Sequence, residues 1–240
     1  MLLCEARPLR GGWRIIGPTS RTISDLRRVV DQIRQDYEWI DDLFNNAGVM
    51  PGSLVFSKQK RELGFELNAV VPYIMTMEFL PLLRAGEVPL VLQTSSSALL
   101  LVKRFAPEEL ERPKSFKKLT GPYGRSKLAL TLWTAAVASE LLPQGIHLLS
   151  VDPGPTKTPM SASSGMPAWL LPIRHLFFRS PERATNKMLE IAAQPSVFPS
   201  GSFVRNGKLK DMPFANCAEA VLSIVRQAYV RFREMAVPTR

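Results

Sequence analysis

Cysteine and histidine are both scarce in this sequence, with two of each among 240 residues. Cys4 and Cys217 lie far apart and form no C-x-x-C pair, and two histidines make a poor zinc site, so metal-free chemistry is expected. Long hydrophobic runs are missing too. None reaches the roughly 18–20 apolar residues that a spanning helix needs, and the N-terminus lacks the apolar core and small-residue cleavage site of a signal peptide. No transmembrane segment is expected, and a cytoplasmic setting is the default. Repeats and low-complexity tracts are absent as well, and the 20 prolines are dispersed rather than gathered in a linker. One domain over residues 1–240 follows as the expectation.

What is present is average globular composition, 45% hydrophobic and 22% charged, with enough length to bury a core. The net charge of +10 comes from scattered Lys and Arg residues without a basic stripe or binding motif, which argues against a nucleic-acid partner. A basic surface does suit an anionic cofactor carrying phosphates.

Short apolar runs alternate with longer stretches of helical period, the pattern of an α/β protein with a mostly parallel sheet. Strands are predicted at 13–16, 40–44, 88–93, 146–151 and 202–204. Helices are predicted at 23–37, with Ser24 as a cap, and at 62–83, 122–142, 182–193 and 215–234. Pro72 requires a local adjustment within the second of these. Residues 155–180, rich in proline and serine, are read as a substrate flap; its apolar stretch from Trp169 to Phe178 could cover an apolar substrate, touch a membrane surface peripherally or simply pack.

The chemistry centres on Tyr123-Gly124-Arg125-Ser126-Lys127, where a spacing of four places phenol and ammonium on one helical face. A free phenol has a pKa of about 10 and exchanges protons poorly at neutral pH; a neighbouring cation favours the phenolate. Thr94-Ser95-Ser96-Ser97 follows a buried strand and offers a hydroxyl, Ser96 being the choice, to hold a substrate oxygen beside the phenol. Asn68 is a mediocre helix former inside a helix, so it is read as kinking that helix or holding a water. Each feature alone has a plain structural reading: a packed helical tyrosine, a strand-ending turn. His147 and His175 lack a named partner and are not assigned a catalytic role.

Taken in order, Asn45-Asn46-Ala47-Gly48, Asn68, Ser96, Tyr123 with Lys127, and Pro153-Gly154 through Thr158 resemble the short-chain dehydrogenase/reductase family over roughly residues 20–235. The resemblance implies a Rossmann-like, doubly wound parallel sheet. It implies Tyr123 as general acid/base, Lys127 lowering its pKa and binding the nicotinamide ribose, Ser96 orienting the carbonyl and Asn68 in a proton relay. Asn46, Ala47 and Gly48 would then close on the adenosine side of the cofactor, with Pro153, Gly154 and Thr158 beside the nicotinamide. The 27-residue step from Ser96 to Tyr123 is similar to that of retinol-type dehydrogenases and fungal secondary-metabolite reductases.

The sequence departs from the family in one large respect. The glycine-rich loop T-G-x-x-x-G-x-G is missing, and Gly11-Gly12 has neither its spacing nor its preceding strand. The expectation is a fold without its first βαβ unit, or a chain whose start lies about fifty residues upstream. Residues 13–16 would then be strand 3 of the family order and 40–44 strand 4, with a hydrophobic edge exposed between them and homodimer formation as a consequence. Thr22 replaces a common acidic residue, and Val71 stands where glycine is frequent. The expected function is oxidoreduction of an alcohol and a ketone or aldehyde on an apolar small molecule, with NADP(H) favoured over NAD(H) on charge. The alternative is an inactive relic or shortened isoform that acts through binding.

Overall fold

A computed structural model of the chain describes residues 4–6, 14–16, 23–157, 165–167 and 178–235. Four strands, β3 (Asp42–Asn45), β4 (Leu90–Thr94), β5 (His147–Asp152) and β6 (Ser202–Arg205), pair in parallel in that order. A short β7 (Lys208–Leu209) folds back antiparallel on β6. Its turn places Asn206 and Gly207 at φ of 54° and 70°, the left-handed pair that a two-residue hairpin favours and that Asn-Gly supplies.

Register explains why both faces are apolar. Leu43, Val91 and Leu148 align across β3, β4 and β5 on one face, and Phe44, Leu92 and Leu149 align on the other. The first row joins the main core with α1 (Ile23–Asp36), α5 (Pro122–Leu141) and α7 (Ala218–Glu234). The second row is covered by Met188 and Ile191 of α6 (Pro181–Ala193). Helices on both faces of a parallel sheet agree with the α/β expectation, because parallel strands connect through crossovers that cover the sheet.

The helix predicted over 62–83 is broken into pieces. Glu62 caps its start, its carboxylate accepting from Gly64 N and Phe65 N, and α2 (Leu63–Phe65) leads into a π-helical turn, Glu66–Val70. There follow α3 (Val71–Glu78), with Pro72 in its first turn, and α4 (Leu80–Arg84). Proline has no N–H to donate and starts a helical turn more easily than it continues one, so the break falls beside it. Glu78, 2% exposed, ends α3 by binding three partners: Arg34 Nη1 at 2.9 Å, the Tyr229 hydroxyl at 2.7 Å and Arg233 Nη1 at 3.2 Å. It ties α1 and α7 to the middle of the fold.

The reading of residues 13–16 as a strand of the parallel sheet is corrected. β2 (Arg14–Ile16) pairs antiparallel with β1 (Cys4–Ala6), forming a separate two-stranded sheet whose β1 lies beside β3. Only seven residues separate the two strands, fewer than the dozen or more that a parallel crossover takes, which agrees with their antiparallel pairing. In the five-stranded sheet β3 is one of the two outer strands, with β7 at the other edge.

Candidate active site

The C-terminal ends of β3, β4 and β5 meet the start of α5. Gly124 permits the approach: a Cβ there would stand 2.8 Å from Leu119 O and 3.0 Å from Ala98 O, too close for any side chain. With glycine in place, the first turn of α5 sits against the 3₁₀ segment Ser97–Leu101.

This approach brings Tyr123 to Ser96. The Ser96 hydroxyl lies close enough to the phenol to favour its charged form, and its oxygen accepts from Ala98 N at 3.2 Å and is thereby oriented. The Tyr123 ring, 9% exposed, packs with Met50, Ala98 and Met166, and Leu119 and Phe178 flank the cluster. Burial pushes the phenol pKa up, the Ser96 hydroxyl pulls it down, and the charge of Asp152 adds to the rise. At neutral pH the group therefore holds its proton.

One turn along α5, Lys127 is buried and its Nζ donates to Thr94 O at 2.7 Å. Loss of solvation lowers its pKa from 10.5 to about 8, with Asp152 opposing the fall. The ammonium is thus mainly charged at pH 7 but close to its titration. Gly48 abuts it: a Cβ there would lie 3.2 Å from Asn68 Oδ1 and 3.3 Å from Lys127 Nζ.

Asn68 lies in the π turn, fully buried. Its Oδ1 accepts from Val49 N at 2.8 Å, and its Nδ2 donates to Val49 O and Ser126 Oγ, both at 2.9 Å. Ser126 in turn donates to Tyr123 O at 2.8 Å. Both amide protons are committed to these partners, so the side chain clamps the 46–49 loop to α5. The extra residue of a π turn re-aims the side chains it carries, which is how Asn68 reaches both elements.

Asn46 is exposed, its Oδ1 accepting from the Thr94 hydroxyl at 2.9 Å, while Ala47 is buried. Pro153 and Gly154 continue β5 into a turn in which Gly154 adopts a φ of 86° and donates its N–H to Asp152 Oδ1 at 2.9 Å. Thr158, His175 and Trp169 through Phe177 lie outside the described residues, and so does most of the proposed flap. His147 begins β5, at the end of the sheet opposite Tyr123, and burial lowers its pKa. Among the described residues no cluster of His, Cys, Asp and Glu could hold a metal ion, and no helix is long and apolar enough to cross a membrane.

Sequence reasoning missed Asp152, Met50 and Met166. Asp152 left a signal, an acidic residue closing an otherwise apolar strand just before Pro-Gly. The methionines, far apart in the chain, left none.

The family profile described as enoyl-(acyl carrier protein) reductase matches residues 21–172, more than half of the chain. The chain belongs to the short-chain dehydrogenase/reductase family. Human retinol dehydrogenase 13 is 26% identical over 183 residues, covering 74% of this chain and 53% of that protein, which agrees with the retinol-dehydrogenase-like branch. This member of the family therefore spans about half the length of the curated relatives it matches. Among solved structures, 3-alpha-hydroxysteroid dehydrogenase from Pseudomonas sp. B-0831 complexed with NADH has a TM-score of 0.63 at 17% identity, over 80% of this chain and 82% of that one. NADPH-bound carbonyl reductase from chicken fatty liver has a TM-score of 0.56 at 18% identity, over 79% and 73%. Both likenesses establish the short-chain dehydrogenase/reductase fold.

Proposed function

We propose that the protein interconverts an alcohol and a ketone or aldehyde on an apolar small molecule, using a nicotinamide cofactor, with NADP(H) favoured by the basic surface. The observation that carries this reading is the convergence of a buried phenol, a hydroxyl that acts on it and a buried amine one helical turn away, at the ends of three parallel strands. Ligands of open α/β sheets bind at the carboxyl ends of the strands.

The residues near Lys127 suit the nicotinamide-ribose end of such a cofactor. Gly48 leaves the backbone bare against Nζ, an ammonium has two N–H donors beyond the one given to Thr94 O, and Gly154 keeps the β5 turn free of a side chain. When bound, the nicotinamide supplies or accepts the hydride. Ser96 orients the substrate oxygen toward the Tyr123 hydroxyl. In reduction, Tyr123 gives its proton to that oxygen as negative charge develops there, and Lys127 stabilises the phenolate left behind. In oxidation the same residues act in reverse, and the raised phenol pKa makes this direction favour alkaline solution.

Met50, Ala98, Leu119 and Met166 offer the substrate an apolar wall beside the phenol, and methionine adapts to varied shapes. Fluorescence titration with NADPH, followed by assay against a panel of apolar aldehydes and ketones, tests the proposal. Saturable binding with turnover is expected. Absence of both would refute it, and binding without turnover would assign the chain a binding role.

A further inference from the structure

One more buried charged side chain lies on the strand next to the one whose end receives Lys127. β5 pairs with β4 as far as Thr94 and Val151, and Ser95 N donates to Val151 O at 2.8 Å, so Asp152 falls alongside the Thr94–Ser96 segment. The carbonyl of Thr94 is the one that receives Lys127 Nζ. Asp152 is only 3% exposed. Its Oδ1 accepts from Gly154 N at 2.9 Å, while Oδ2 makes no hydrogen bond within the described residues and meets Arg205 Nε at 3.3 Å as an ion pair.

A carboxylate buried to this degree requires compensating charge. Arg205 supplies part of it from β6, but its side chain is 35% exposed, where solvent screens a charge. Lys127, approaching from α5, is the other cation that feels the charge of Asp152, and the Tyr123 phenol feels that charge too.

We propose that Asp152 is a positioning residue for the proton-transfer pair, a buried counter-charge that keeps the Lys127 ammonium charged beside the phenol, with Arg205 setting how much of that charge is felt. The proposal rests on reading Tyr123 and Lys127 as that pair. Burial draws the Lys127 pKa down to about 8, and the Asp152 charge limits the fall. The same charge raises the phenol. Asp152 thereby keeps both groups protonated, the state that reduction of a carbonyl needs, and the neighbouring Arg205 moderates both effects.

The test reads Lys127 directly in the unliganded protein, by NMR titration of isotope-labelled lysine side chains, with the Lys127 signal assigned through Lys127→Met. Asp152→Asn removes the charge yet keeps an oxygen for Gly154 N, so the turn persists. Its Lys127 midpoint is expected to fall by about one pH unit, the low end of the effect of an opposite charge at close range. Arg205→Gln, which strengthens the uncompensated field of Asp152, is expected to raise the midpoint. The alkaline limb of kcat should move with the midpoint in each variant. Opposite movements from two adjacent substitutions are a signature that a purely structural role would not give. A midpoint unchanged in Arg205→Gln, or in a folded Asp152→Asn, overturns the proposal. If the midpoints move as expected while even the parent protein turns nothing over, Asp152 keeps its role toward Lys127 and the catalytic reading is what fails.

Discussion

Replacing Lys127 by methionine should change how stability depends on pH, because the amine is kept charged at neutral pH against its burial. Its pKa falls from 10.5 to about 8 in the folded protein. At about 1.4 kcal/mol for each tenfold change in proton affinity, the folded state holds the charged form at a cost of about 3 kcal/mol. A base whose folded pKa lies below its unfolded value binds fewer protons when folded within the window between the two. Stability from this group therefore rises with pH between about 8 and 10.5 and is flat below that window. Between pH 7 and pH 10 the parent should gain about 2–3 kcal/mol relative to Lys127→Met. The phenols titrate in both proteins and cancel in the comparison. Urea unfolding at the two pH values reads this directly, and with a slope of about 1–3 kcal/mol per molar for a small protein the relative midpoint should move by about 1 M or more. Parallel pH dependence in the two proteins would refute the claim that Lys127 is a desolvated, titrating amine.

Three further substitutions probe the frame of the site. Gly48→Ala places a methyl group within 3.2–3.3 Å of Asn68 Oδ1 and Lys127 Nζ, and NADPH affinity should drop about tenfold, or ~1.4 kcal/mol, by fluorescence titration. Asn68→Ala leaves Val49 N, Val49 O and Ser126 Oγ without their partner, so thermal unfolding should report a loss of about 1–3 kcal/mol. Glu78→Ala removes the carboxylate that joins Arg34, Tyr229 and Arg233, and denaturant unfolding should show a loss of about 2 kcal/mol with the α7 amides exchanging fastest.

Local chemistry made much of this fold legible in the sequence. The four parallel strands lie within a few residues of their predicted positions because each is a short apolar run bounded by turn residues, and Pro122 and Pro143 bracket α5 closely. What local reading misses is chain geometry. The short separation of β1 and β2 in the chain rules out a parallel pairing, and the π turn at Asn68 depends on Pro72 together with the Val49 backbone that the asparagine must reach. The Asn206-Gly207 hairpin is written plainly in the sequence but begins only two residues past the predicted end, at Val204, of a strand that already looks complete.

The site divides in the same way. Tyr123, Lys127 and Ser96 could be named from spacing and order, since one helical turn and one strand end suffice to define them. Asp152 and Met50 required knowing which strand end lies beside which. Asp152 looks like an ordinary turn residue until the pairing of β5 with β4 sets it next to Thr94, and Met50 joins Met166 only in the folded chain.

The most direct test of the central claim is NADPH-dependent reduction of an apolar aldehyde by the parent protein and by Tyr123→Phe, followed from pH 6 to about 9.5. The parent is expected to show turnover that declines above pH about 8, where Lys127 loses its charge, and a folded Tyr123→Phe protein that still binds NADPH is expected to show none. Turnover at the parental rate in Tyr123→Phe would contradict that claim.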